Sequence, residues 1–142
     1  MGALGISRVS ECSYYIGTGT NNTTGIVIKQ NSDGALTGTN TSHAFTPADG
    51  LANITAGQEK YGYRLTVGDH YFVGEHQGTD VTSMFDSGIN SSELPVAHTD
   101  EAYDTILQNF TYRMKVTHYA SMSGNTPADS YKQRVIYTAY TK

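Results

Sequence analysis

Several residue types that would mark a familiar class of protein are scarce in this chain. It has one cysteine, Cys12, and no tryptophan among 142 residues. A single cysteine excludes a disulfide framework within the chain. It leaves Cys12 as a small apolar side chain, a free thiol or a bridge to another molecule. Charged residues are only 15% and the formal net charge is −4. Proteins that bind phosphate backbones need a basic patch, so nucleic acid is excluded as a partner. No apolar run approaches the ~18 residues of a membrane-spanning helix, and no membrane insertion is expected. The first residues, MGALGISRVSEC, lack the unbroken apolar core of a secretory signal. The composition still suits a secreted surface protein, so an extracellular form from which a signal has been removed is the expectation.

What the chain does have points to strands. Glycine occurs 15 times and tyrosine 11 times, with abundant threonine and serine. Tyrosine and threonine fit pleated, half-exposed strands, and glycine fits turns. The clearest signal is residues 110–142. Phe110, Tyr112, Met114, Val116 and His118 alternate with Thr111, Arg113, Lys115, Thr117 and Tyr119, the period of a half-buried strand. A second run sets Tyr131, Val135, Tyr137 and Ala139 on one face. Gly124 and Pro127 interrupt regular structure between the runs, which reads as a long C-terminal hairpin. Lys and Arg on its outer face would guard exposed edges.

Upstream, residues 3–16 read as a first strand, with Leu4, Ile6, Cys12, Tyr14 and Ile16 on one parity. Residues 25–30 (GIVIKQ) read as a central strand, and Asp33-Gly34 as a turn needing positive φ. Residues 59–67 (EKYGYRLTV) put Tyr61, Tyr63, Leu65 and Val67 on one face. Gly62 falls on the other, where a bulge or a close backbone approach fits. Residues 74–104 show poor periodicity and read as a long functional loop. Residues 99–108 suit a short helix or a lead into the next strand. The spacing implies one all-β domain, an antiparallel β-sandwich of immunoglobulin-like type spanning 17–142, with 1–16 as an N-terminal strand.

Three stretches carry a resemblance: TNNTTGIVIKQNSDGALTG at 20–38, GQEKYGYRL at 57–65 and FTYRMKVTHYASMSGNTPADSYKQRVIYTAYT at 110–141. In order and spacing they are similar to a β-sandwich module of secreted cell-surface proteins in Gram-positive and candidate-phyla bacteria. The sequence departs from that pattern at Asp129, where the closing turn usually has glycine, and at Tyr61, which often is tryptophan. The resemblance implies a structural role in a surface layer, filament, stalk or adhesin, and it supplies no catalytic residue.

The remaining chemistry is sparse. His43, His70, His76, His98 and His118 have no zinc spacing. Asp100, Glu101 and Asp104 are a candidate loop calcium site, with solvated charge at a helix start as the plainer reading. No G-x-S-x-G is present, and no enzymatic activity is expected. Asn21, Asn22, Asn40, Asn53, Asn90 and Asn109 head Asn-x-Ser/Thr triplets, candidate glycan acceptors that an Asn- and Thr-rich chain also produces by chance. Tyr71, Tyr119 and Tyr140 are candidate ligand contacts, since tyrosine offers rigid amphipathic area. Residues 2–16 precede a Gly-Thr-Gly hinge. They could pair within their own domain or leave it as a donor strand for a neighbour, with Leu4, Ile6, Val9, Cys12, Tyr14 and Ile16 as the assembly contacts. The expected function is a self-assembling extracellular structural subunit. The alternative is an adhesin-type module binding a glycan or host protein through loop 74–104 and exposed tyrosines.

Overall fold

A computed structural model describes residues 2–17, 22–48, 54–67, 73–74, 94–98 and 113–142. Among them are nine β-strands and no helix: β1 (Ser10–Gly17), β2 (Ile26–Ser32), β3 (Thr37–Gly38), β4 (Lys60–Val67), β5 (Val73–Gly74), β6 (Leu94–His98), β7 (Arg113–Ser121), β8 (Tyr131–Lys132) and β9 (Val135–Thr141). They form a three-stranded sheet in the order β1-β7-β4, a four-stranded sheet in the order β5-β6-β2-β9, and the small pair β3-β8. The strand ladders within these sheets are antiparallel.

Alternation explains which side chains go inside. In β2, Ile26, Ile28 and Gln30 are buried and the residues between them are half-buried. In β7, Met114, Val116 and Ala120 are fully buried, as are Tyr61 and Tyr63 of β4. All of these but Gln30 join Leu36 and Phe45 in one hydrophobic cluster drawn from both larger sheets. Apolar area from two sheets thus leaves water together, the dominant favourable contribution to folding.

The two C-terminal strands form, but the hairpin does not. β7 pairs with β1 and β4, while β9 pairs with β2 in the other sheet. Period-two alternation fixes which face a side chain takes and says nothing about which strand lies beside it. The connecting segment turns at residues 123–126 and gives β8 to the pair with β3, so it crosses between sheets instead of folding β7 back on itself. The Lys and Arg of β7 therefore guard no edge, because β7 is the central strand of its sheet.

Three smaller expectations also shift. The first strand begins at Ser10, since Ile6 and Ser7 lie in a turn. No bulge occurs at Gly62, where the β4–β7 register runs unbroken from Lys60↔Ser121 to Val67↔Met114. A register shift lies instead in the β2–β6 ladder between Ile28 and Lys29, beside Pro95. Proline has no N–H for a ladder, so it is at home at an irregularity. The strand β6 itself falls inside the stretch read as loop.

Candidate functional site at the β1 flank

Among the described residues, β1 is an edge strand. Its register with β7 is continuous for its whole length, from Ser10↔Ala120 to Gly17↔Arg113. No other strand among the described residues pairs with it. Glu11, Cys12, Ser13, Tyr14 and Tyr15 are all exposed. Val9 just before it is exposed as well. The opposite edge of the same sheet is different. There the backbone of residues 46–48 covers the start of β4, with Tyr61 N donating to Thr46 O at 3.2 Å and Ala48 N donating to Tyr61 O at 2.8 Å.

Beneath β1 runs an aromatic stack. His118 lies between Tyr14 and Tyr63, with ring centroids 5.5 Å and 5.7 Å away and nearly parallel planes. The Tyr14 hydroxyl is 3.1 Å from His118 Nε2 and 3.0 Å from the Tyr137 hydroxyl. Burial holds the His118 pKa down at about 4. A neutral imidazole has one donor and one acceptor nitrogen, and in either tautomer the Tyr14 hydroxyl bridges Nε2 and the Tyr137 hydroxyl. Burial also pushes the phenols of Tyr14, Tyr63 and Tyr137 up, which keeps them protonated as donors. The chain of bonds ties β1 to β9, one edge strand from each larger sheet.

A cleft of about 370 Å³ opens beside this stack, walled by Cys12, Tyr14, His118 and Tyr119 on one side and by Tyr131, Gln133 and Val135 on the other. Cys12 is a free, exposed thiol there. A second cleft of about 510 Å³ is lined by the N-terminal Gly2, Ala3 and Leu4 together with Leu36, Met122 and Tyr131.

The cleft's far wall is fixed by a clasp. The Asp129 carboxylate accepts from Asn40 N (2.9 Å), Thr41 N (2.7 Å), Thr41 Oγ1 (2.8 Å), Asn40 Nδ2 (2.8 Å) and Thr39 Oγ1 (3.2 Å). These bonds hold its pKa far below the usual carboxylate range, led by the Thr41 backbone N–H. Gly38 is required at the foot of the clasp. A Cβ there would come within 2.5 Å of Thr41 Oγ1 and 2.6 Å of Asp129 Oδ2. Nearby, His43 Nε2 and Thr126 Oγ1 both lie 2.7 Å from Glu59 Oε2. Tyr131 packs edge-on against Phe45 at 4.7 Å.

The sequence-predicted residues divide as follows. Cys12, Tyr14 and Ile16 lie on β1, and Ile16 and Leu4 pack against the core. Ile6 and Val9 are exposed in the preceding segment. Tyr119 lines the cleft, whereas Tyr140 lies on β9 with Lys29 Nζ 4.8 Å from its ring centroid. Asn40 spends its Nδ2 on Asp129, and Asn22 Oδ1 accepts from Thr24 Oγ1 at 3.0 Å. Tyr71, Asp100, Glu101, Asp104, Asn21, Asn53, Asn90 and Asn109 lie outside the described residues. Among the described residues no three His, Cys, Asp or Glu side chains converge as a metal site. His118 was legible as a residue of the Met114–Val116 face. Its partners were not, because Tyr14 and Tyr63 come from the strands on either side of β7, both distant in sequence.

No family model, curated protein or solved structure matches this chain. Likeness to the bacterial surface module therefore rests on the quoted residues alone.

Proposed function

We propose that this chain is an extracellular structural subunit of a cell-surface filament, layer or stalk, one immunoglobulin-like β-sandwich whose copies join through the N-terminal segment. The observation that carries the reading is β1: an eight-residue edge strand, six of its residues exposed, with almost no charge and flanked by apolar Val9. Soluble proteins ordinarily blunt such an edge with lysine, proline or a bulge, because a bare strand edge is a template for another strand. A low charge content and the shared core of two antiparallel sheets suit a repeated, non-enzymatic building block. Light scattering over a wide concentration range, with negative-stain microscopy, tests it. Growth of defined assemblies with concentration supports the subunit reading, and a monomer throughout sinks it.

A second reading keeps one specific observation in its favour. Tyr119, Tyr14 and Tyr131 converge on the 370 Å³ cleft, an aromatic wall of the kind that stacks on sugar rings. An adhesin-type module would bind a glycan there, and a glycan array probed with the intact chain decides it.

A further inference from the structure

We propose that one contact of the assembly is β1 against β1 of a second copy, antiparallel about a two-fold axis normal to the sheet, with each β1 remaining on its own β7. The inference rests on the subunit reading above and names the interface that joins its copies in pairs.

An edge strand pairing with its own copy about such an axis is necessarily antiparallel, and each chain contributes the same surface. The sequence SECSYYIG is self-complementary in that arrangement. Its one charge, Glu11, lies near the start, and Tyr14 and Tyr15 lie near the middle. Antiparallel self-pairing therefore sends the two Glu11 side chains to opposite ends, and the register centred on Tyr14 sets that residue beside its own copy. Aromatic cross-strand pairs stabilise a ladder, and like charges directly opposite destabilise it. The unbroken register with β7 leaves the strand regular along its length, as an added strand requires.

β9 is the other edge on this flank, and it fails the same examination. Centring β9 on Thr138 against its own copy sets Arg134 opposite Lys142 of the second chain, twice over. The Arg134 guanidinium is already 3.9 Å from Asp33, and Lys142 N donates to Gly25 O. Cationic ends of this kind are how natural edges avoid each other.

Cys12 supplies the measurement, because it is the single cysteine of the chain and is exposed on β1. A nitroxide attached there reports the separation of the two strands. Registers that pair Ser13 with Ser13, or Tyr14 with Tyr14, put the Cys12 α-carbons about 8 or about 14 Å apart, from the usual strand spacing and rise. The expected result is strong dipolar broadening in assembled protein, abolished by dilution with unlabelled chain. Assemblies without broadening overturn β1 pairing, including the case in which β1 leaves its own β7 for a neighbour's, while leaving assembly itself intact. No assembly at any concentration overturns both readings. As a second arm, the double variant Ser13→Asp with Tyr15→Glu opposes acid to acid in either register. It should weaken association at least tenfold with an unchanged far-ultraviolet circular dichroism spectrum. Thr138→Asp on β9 should not. Equal loss in both variants overturns the assignment.

Discussion

The hydroxyl of Tyr14 on β1 lies 3.0 Å from the hydroxyl of Tyr137 on β9, and so the edge strands of the two larger sheets are pinned to each other. Removing one side of a half-exposed hydroxyl pair costs about 1 kcal/mol. Tyr137→Phe should lower stability by about that much. Tyr14→Phe should cost more, since it also removes the hydrogen bond to His118 Nε2. A double-mutant cycle on urea unfolding should return a coupling of roughly 0.5–1.5 kcal/mol. A coupling near zero would show that the two sheets are held at this flank by packing alone.

His118 gives the protein a pH dependence of definite sign. Its folded pKa is lowered to about 4 by burial, against about 6.5 for an unfolded histidine. Between those values the unfolded chain takes up a proton that the folded chain refuses. Stability from the neutral ring is therefore complete above pH ~6.5 and is lost as pH falls toward 4, by roughly 3 kcal/mol at most. His118→Phe keeps the stack between Tyr14 and Tyr63 and removes the titration. The difference between wild type and variant in urea midpoint should narrow or reverse across that window. A parallel fall in both proteins would assign the acid sensitivity to other groups.

Faces were easier to read from the sequence than partners. The Met114–Val116 alternation placed β7 side chains correctly because burial imposes the period directly. The same residues could not reveal that β1 and β4, not the following strand, lie beside β7, because pairing is decided by the closure of distant segments. β6 was hidden by Pro95, which reads as a breaker yet is tolerated beside the ladder irregularity. Asp129 was visible only as a departure from an expected glycine. Its meaning depends on Thr39, Asn40 and Thr41, which sit some 90 positions earlier and supply the donors.

The Asp129 clasp should be sensitive from both sides. Gly38→Ala forces a methyl into the space of Thr41 Oγ1 and the carboxylate, and overpacking of this kind costs about 1–3 kcal/mol. Asp129→Asn removes the charge that the donors surround. Because the folded carboxylate has a lowered pKa, its contribution is present above the unfolded value near 4 and lost as pH falls through the folded one. The deficit of Asp129→Asn relative to wild type, read as melting temperature, should thus be largest at neutral pH and shrink in strong acid. Solvent reaches the carboxylate, which keeps the effect modest. A pH-independent deficit would mean that shape, not charge, holds the loop.

Tyr63 offers the sharpest test of how the sheets are joined. It is fully buried on β4, and the Gln30 side chain of β2 in the other sheet hydrogen-bonds its phenol. Gln30 Oε1 is itself buried without a partner, so the bond comes from the amide N–H. Tyr63→Phe leaves that amide desolvated with nothing to receive its proton, at a cost of about 1–3 kcal/mol. Replacing both partners removes the stranded group. Gln30→Leu combined with Tyr63→Phe should therefore be more stable than Tyr63→Phe alone, and close to wild type, because an apolar pair of similar shape carries no desolvation penalty. If the double variant is instead the least stable of the three by urea unfolding, the Gln30–Tyr63 bond contributes net stability beyond satisfying its own donors. The junction between the sheets would then be polar in origin as well as in position.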